Sequence, residues 1–428
     1  MPSLLRTSAA KPNIIFIITD DQRYDTMGFM DKPWLQTPNM ARLAREGVHF
    51  VNSFVTTSLC SPSRASFLTG RYPHCHGVIN NFTPWRDDNV TFLELLHAHG
   101  YDTALIGKWH MTGKSVPDLV GQGKVNRMVS FYGQGKYFDC PLIVNGKNTE
   151  SKGYITDTLT RYAIEFLGQS RKKPFCLYLS HKAVHGPFKP PERYSGMLKQ
   201  VSFPDLGFIN PNLPQIPGIN RQRKKFKKNI QSYHEALIAV DDSLGKVLDF
   251  LDARGMAENT LVIYTSDNGY MWGEHGLLGK RYAYEESIRV PHLFRYPRLV
   301  PKGGRKVSEM VLNIDLAPTL LSAADIAPPD IVQGRSYLEL ATGKSVPWRE
   351  SFLYEYFKDP LFPHPPIQAV RTREWKYIHY LNSQFPDELY HLSVDPKERH
   401  DLAKDPAHTS IKKKLKVELE RLKRKYAC

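Results

Sequence analysis

A chain of 428 residues with 41% hydrophobic and 24% charged side chains has enough apolar content for a large core, which excludes a disordered or fibrous protein. Its 58 basic against 43 acidic residues give a formal charge of +15, which points to an anionic partner such as nucleic acid, anionic lipid or an acidic polymer. Most of that excess lies in two stretches, 221–228 (RQRKKFKK) and 412–425, so the rest of the chain is nearly balanced.

From the N-terminus, residues 13–19 (NIIFIIT) are an uninterrupted apolar run of the kind that forms a strand buried on both faces. The pattern then predicts a helix over 39–46, a strand over 48–54, a helix starting after Pro62, a helix over 92–99 and a strand over 101–106 (YDTALI). The rhythm continues with a helix over 155–167, a strand over 175–179, a long helix over 230–251, and strands over 260–265 (TLVIYT) and 288–294. Such alternation implies an α/β fold, a large mostly parallel sheet sandwiched by helices. Residues 186–228 read as a long surface excursion, with prolines at 187, 190, 191, 204, 211, 214 and 217. Asp241 and Asp242 fall on the long helix as capping or ion-pair groups.

Beyond residue 330 the pattern changes to strands over 352–356, 368–371, 376–380 and 388–392, followed by a helix. In that helix Ile411, Leu415, Leu419, Leu422 and Tyr426 recur at spacings of three and four, so one face docks and the lysines stay in water. The chain thus divides into a larger domain over 11–330 and a subdomain over 331–428 with a smaller antiparallel sheet and a terminal helix. The five cysteines, Cys60, Cys75, Cys140, Cys176 and Cys428, are too few for a dense disulfide framework, and their odd number leaves at least one thiol unpaired. Cys75 reads as a small buried hydrophobe, and Cys140 carries no chemistry. No apolar run approaches the roughly 20 residues of a membrane-crossing helix, and residues 1–10 are too short and polar for a signal peptide's apolar core.

In parallel α/β sheets ligands bind at the carboxyl ends of strands, so the residues just past each predicted strand are the informative ones. Asp20-Asp21 follow the first strand, Lys108 and His110 the second of these, His181 and His185 the third, and Asp267-Asn268 the fourth. One polar strand end is an ordinary turn or helix cap; four at a common edge point to an active site. Three carboxylates and an amide converging there require a positive charge between them, and an all-oxygen donor set favours Ca2+, ahead of Mg2+, over zinc. Arg64, Lys108, His110, His185 and Lys280 add cationic donors, which makes the edge a receptor for a tetrahedral oxyanion, sulfate or phosphate. Cys60, at the mouth of the helix after Leu59, is the best candidate nucleophile.

Cys60-Ser61-Pro62-Ser63-Arg64, followed by Leu68-Thr69-Gly70-Arg71, resembles the signature of type I sulfatases, whose C-x-P-S-R cysteine is oxidised to formylglycine. The likeness runs from residue 13 to about residue 400 and includes Gly107-Lys108-Trp109-His110, His185-Gly186-Pro187, Ser266-Asp267-Asn268-Gly269, Gly279-Lys280 and Trp375-Lys376-Tyr377-Ile378. It implies an alkaline-phosphatase-like fold and hydrolysis of sulfuric esters, with Asp20, Asp21, Asp267, Asn268 and modified residue 60 around Ca2+. It also implies that Arg64 and Lys108 orient modified residue 60, that His185 or Lys280 protonates the leaving oxygen, and that His110 takes a proton to expel sulfate. His275 reads as a substrate contact, and His181 either as lining the substrate side or as a solvated loop imidazole.

Residues 133–138 (GQGKYF), Glu355-Tyr356 and Arg371-Thr372 are similar to bacterial carbohydrate sulfatases of the N-acetylglucosamine-6-sulfatase type. The implied partners are a sulfated saccharide and a formylglycine-generating maturation enzyme, with no nucleic acid, and the implied location is the periplasm or the cell exterior. The basic run 221–228 reads either as steering a polyanionic glycan to the site or as a solvated loop. Alternatives are a phosphatase or phosphodiesterase of the same superfamily, which ordinarily needs a serine or threonine where Cys60 stands, and an aryl or choline sulfatase. A polyanion-binding protein without catalysis would not need three converging carboxylates.

Overall fold

In the computed structural model, which describes residues 10–111, 118–203, 223–362, 364–381 and 384–428, the first apolar run forms the strand Asn13–Thr19 within a ten-stranded sheet. It pairs in parallel with Phe175–Ser180 on one side and Thr260–Ser266 on the other. A strand flanked in this way and covered on both faces has no water-facing position, hence its unbroken apolar sequence. Ile14, Phe16 and Ile18 join one apolar cluster and Ile15 and Ile17 the other, as the two-residue period of a strand requires.

Across the sheet the order is Arg305–Val307, Val48–Phe50, His292–Arg295, Thr260–Ser266, Asn13–Thr19, Phe175–Ser180, Asp102–Gly107, Arg127–Ser130, Leu142–Val144 and Lys147–Thr149. The centre is parallel, while His292–Arg295 and the two strands after Arg127–Ser130 run antiparallel to their neighbours. Register aligns the strand ends: Thr19 lies opposite Ser266, Ile18 opposite Ser180, and Ser180 opposite Gly107. The residues after each of these strands therefore meet at one edge. Gly107 is required there, because its φ is +115° and a Cβ would lie 1.8 Å from the Ser180 carbonyl oxygen.

Helices cover both faces. Ile155–Leu167 packs with the long helix Arg223–Ala253 on one side, where Tyr233, Leu237 and Leu244 are buried. On the other side, the helix Cys60–Thr69 is buried along its whole length and ends at Gly70 in the left-handed conformation. Asp241 accepts from the Asn39 and Met40 amides and so caps the helix Pro38–Arg45, while Asp242 meets Arg193 and Tyr194. Both carboxylates thus have the capping and ion-pair roles expected from sequence.

Three expected elements are changed. The strand over 48–54 breaks into Val48–Phe50 and Ser53–Phe54, the second pairing with Val311–Leu312. The run 288–294 is the end of a short helix, Glu285–Ile288, followed by the strand His292–Arg295; Pro291, lacking an N–H, separates them. The long helix begins at Arg223, inside the expected excursion. Residues 204–222, including Arg221 of the basic run, lie outside the described residues, and Lys227 and Lys228 are exposed.

The C-terminal region contains a four-stranded antiparallel sheet of Ser351–Tyr356, Ile367–Thr372, Trp375–Tyr380 and Glu388–His391. Against it lies the helix Thr409–Lys425 with Leu415, Leu419 and Leu422 buried. Cys75 is not a free buried hydrophobe, since it forms a disulfide with Cys428 that ties the chain's end to the segment following the Cys60 helix. Cys60, Cys140 and Cys176 are free and buried. No described helix is long and apolar enough to cross a membrane.

Candidate active site

The aligned strand ends bring Asp20, Asp21 and Asp267 together, with carboxylate oxygens within 4.8 Å of one another, all buried. Asp21 adopts a left-handed φ of +64°, and its amide donates to Asp267 Oδ1 at 3.1 Å. Asn268 donates from Nδ2 to Asp21 Oδ1 at 2.6 Å, and its Oδ1 is buried with no partner. An acceptor oxygen left without a donor beside three carboxylates is the arrangement expected around a hard cation, which the oxygen-only donor set suits.

Cations surround this group. Arg64, four residues into the buried helix, donates to Asp267 Oδ2 at 2.8 Å and reaches Asp20 Oδ2 at 3.3 Å. Lys108 pairs with Asp20 and donates to Gln134 Oε1 at 2.5 Å. Lys280 pairs with Asp21 and lies 2.9 Å from Cys60 Sγ. Cys60, the first residue of its helix, stands 3.6 Å from Asp20 Oδ1. His185 Nδ1 donates to the Gly186 carbonyl at 2.7 Å, which leaves Nε2 bare, 3.8 Å from Asp21 Oδ2. His110 has a left-handed φ of +61° and sits between Ser61 Oγ at 3.1 Å and the Gln134 amide nitrogen at 3.1 Å. With Gln134 donating, His110 Nε2 is the acceptor and Nδ1 carries the proton.

These neighbours set the protonation states. Burial pushes the Cys60 thiol up to about 11, reinforced by the Asp20 charge. An unmodified Cys60 is therefore a thiol at neutral pH and a weak nucleophile. Burial drives His110 well below its ordinary value, with Lys108 adding to the effect, and drives His185 down to about 4 against the pull of Asp20 and Asp21. Although burial opposes its charge, Lys280 is held well above the usual lysine range by Asp21 and its neighbours. Asp20 would be raised by burial, yet Lys108 and the other cations hold it well below the carboxylate range.

Above the carboxylates opens a pocket of about 990 Å³. Asp21, His110, His185 and Lys280 line it, together with Gln134 and Arg281. Of the twelve residues proposed from sequence, the structure gathers ten at this pocket or immediately beneath it and leaves two elsewhere. His181 is fully buried, its Nε2 3.2 Å from Ser243 Oγ, because its amide still pairs with the Ile18 carbonyl at the sheet's edge. His275 is also interior: its ring stacks on Tyr284 at 3.7 Å and faces Glu286 at 3.9 Å. Neither lines the pocket, which corrects the expectation of a substrate contact for His275 and both readings of His181, as a group on the substrate side or as a solvated loop imidazole.

Sequence reasoning missed Gln134 and Asn81 as site groups. Asn81 accepts the Ser61 amide at 3.0 Å beside Cys60, and Gln134 bridges Lys108 and His110. The available signal was the pair Gly133 and Gly135 around Gln134, both at positive φ, which marks a turn shaped to present one side chain.

Comparison with known proteins adds to this geometry. The sulfatase family model matches residues 12–326, and a model for the C-terminal region of N-sulphoglucosamine sulphohydrolase matches residues 273–425. An N-acetylglucosamine-6-O-sulfatase of Bacteroides thetaiotaomicron is 30% identical, over 97% of this chain and 87% of its own. The human N-acetylglucosamine-6-sulfatase is 31% identical over 92% of this chain and 81% of its own. A solved structure of an enzyme in complex with its substrate D-glucosamine-2-N,6-O-disulfate superposes with a TM-score of 0.88 at 30% identity, covering 97% of this chain and 98% of that one.

Proposed function

Starting from the premise that the chain belongs to the sulfatase family and hydrolyses sulfate esters, we propose that its substrate is a carbohydrate carrying a 6-O-sulfate on a glucosamine unit. The relatives that act on N-acetylglucosamine 6-sulfate support this reading, as does a pocket of about 990 Å³ with exposed Phe82 and Phe362 at its rim, of a size and apolar character suited to a sugar ring. In this reading residues 11–330 form the catalytic domain, and the 331–428 subdomain supplies part of the rim through Leu361 and Phe362.

The observation that carries the mechanism is the convergence of Asp20, Asp21 and Asp267 with the unpartnered Asn268 Oδ1 beside Cys60. These residues would hold Ca2+, which would draw charge from the sulfate oxygens, while Cys60 oxidised to formylglycine and hydrated by one water to the geminal diol would supply a hydroxyl nucleophile in place of a protonated thiol. A hydroxyl also suits a hard cation better than sulfur does. Arg64 and Lys108 fix the carboxylates and residue 60 and offset the charge that develops in attack. The proton for the departing sugar oxygen comes from His185 or Lys280, both at the pocket wall. For His185 the incoming anion supplies the charge that favours its protonation. His110, neutral and with Nε2 unprotonated, accepts the proton of the second hydroxyl of residue 60, so that sulfate leaves and the aldehyde is restored.

The Cys75–Cys428 disulfide supports the periplasm or cell exterior, where such bonds persist. Mass spectrometry of the Cys60 peptide and sulfate release from N-acetylglucosamine 6-sulfate test the reading together. It expects a peptide about 18 Da lighter than the thiol form and turnover that chelation abolishes. A fully converted protein with no turnover on sulfated sugars would contradict it.

A further inference from the structure

Three cations at or beneath the pocket are committed. Arg64 is held by Asp267 and Asp20, Lys108 by Asp20 and Gln134, and Lys280 by Asp21 and Cys60. Arg281 is different. Its backbone lies at φ +96°, a conformation costly for a residue with a Cβ, and its amide donates to Ser58 Oγ at 3.2 Å. The side chain lines the pocket wall and is 11% exposed. Its guanidinium carbon stacks 3.6 Å from the Phe362 ring centroid. Asp359 faces its Nε at 3.5 Å, yet that nitrogen is buried without a hydrogen bond. The Tyr356 hydroxyl also lies beside the guanidinium. A guanidinium has five N–H donors in a rigid fork, so this side chain holds donor capacity that its neighbours among the described residues do not fill.

We propose that Arg281 receives a second anionic substituent of the substrate, an N-sulfate on the same sugar or a carboxylate on the next one, distinct from the sulfate that is cleaved. The assignment rests on the sulfated-carbohydrate reading above and narrows it to doubly charged saccharides. Three features support it. Arg281 directly follows Lys280, so a ligand whose scissile group is held at the floor meets Arg281 on the wall. Phe362 holds the fork flat and half-desolvated, which strengthens a charge-assisted hydrogen bond. Phe82 is half exposed at the same pocket and offers an apolar face to the ring between the two anionic groups. The fork matches the paired oxygens of a sulfate or carboxylate, which a lysine at this position would not.

Calorimetric binding at fixed ionic strength tests this on Cys60→Ala protein, which cannot turn over, and on the same protein carrying Arg281→Met or Arg281→Lys. The ligands are N-acetylglucosamine 6-sulfate, glucosamine 2-N,6-O-disulfate, and a 6-sulfated disaccharide with a neighbouring uronate. The expected result is about tenfold or tighter binding of one doubly charged ligand over the monosulfate, with the preference lost in Arg281→Met and mostly lost in Arg281→Lys. The ligand that shows the preference identifies the second anion. Equal binding of all three, or a preference that survives both substitutions, overturns the proposal. Arg281→Lys keeps the charge, so it reads the fork even where Arg281→Met folds poorly. Sulfate release by the parent from the same three compounds is measured in parallel; its absence would overturn the sulfatase reading while the binding preference still decides Arg281.

Discussion

His110, Gln134 and Lys108 form a chain in which one amide fixes the orientation of two groups at the pocket. Gln134 Oε1 accepts from Lys108 and its nitrogen donates to His110 Nε2, so the amide can satisfy both partners in only one orientation. Replacement by leucine leaves a buried ammonium short of an acceptor and frees the imidazole to rotate. Gln134→Leu should lower kcat about tenfold to a hundredfold with a smaller change in KM; steady-state kinetics on a sulfated sugar would check it, and an unchanged kcat would remove Gln134 from the account. His185 gives a second prediction. If it protonates the leaving oxygen, His185→Ala should lower turnover of a sugar sulfate about 10²- to 10⁴-fold while leaving a nitrophenyl sulfate far less affected, since that leaving group departs without a proton. Equal losses on both substrates would assign the proton to Lys280 instead.

Asp20, Asp21, Asp267 and Asn268 were legible in the sequence because they depend only on where apolar runs stop, and parallel register does the rest. His181 misled for a related reason. The strand runs one residue further than its apolar run, through Ser180, and His181 still pairs with the sheet through its amide. His275 misled by proximity, five residues before Lys280, although it lies in the loop of the hairpin of Met271–Trp272 and Leu278–Gly279, and Lys280 follows the second strand. Phe82, Gln134 and Phe362 come from loops with no period to read.

Among elements, the helix Pro38–Arg45 depends on a group distant in sequence. Its first amides are met by Asp241 from the long helix rather than by a local cap. Asp241→Ala should cost about 0.5–2 kcal/mol, measured as a lower denaturant midpoint with unchanged kcat, since neither helix end lines the pocket. The sequence showed an acid on a helix but not its partner, because nothing local links residues about 200 apart. The strand Asp102–Gly107 has a sharper constraint at Gly107, where any side chain meets the Ser180 carbonyl and would shift the loop that carries Lys108 and His110.

Over the whole molecule, one apolar cluster runs from Phe16 in the large sheet to Leu389 and Leu422 in the C-terminal part, and buried acids lie near that junction. Burial pushes Glu388 from 4.5 to about 7, although the hydroxyls of Tyr390, Tyr380 and Tyr284 pull the other way. Glu286 and Glu398 are likewise raised, to about 7 and about 8. The folded state therefore holds protons that the unfolded chain has released above about pH 4.5. The stability these acids contribute is full below that pH and is lost as pH rises through 7 to 8. Thermal melts should show a midpoint falling across that window, and Glu388→Gln should flatten part of the slope; an identical slope would show that Glu388 is ionised in the fold. The Cys75–Cys428 disulfide, absent from any local spacing pattern because 353 positions separate its ends, closes a loop nearly as long as the chain. Its reduction should cost about 2–4 kcal/mol, read as a lower melting temperature in Cys75→Ser.

In the function proposed, a metal-bound oxyanion site built around an oxidised Cys60 cleaves sulfate from a carbohydrate. The most direct measurement is sulfate release from N-acetylglucosamine 6-sulfate by preparations whose Cys60 conversion has been quantified by mass. Release should rise in proportion to the converted fraction and be absent in Cys60→Ala; a rate independent of conversion, or equal in the variant, would contradict the account.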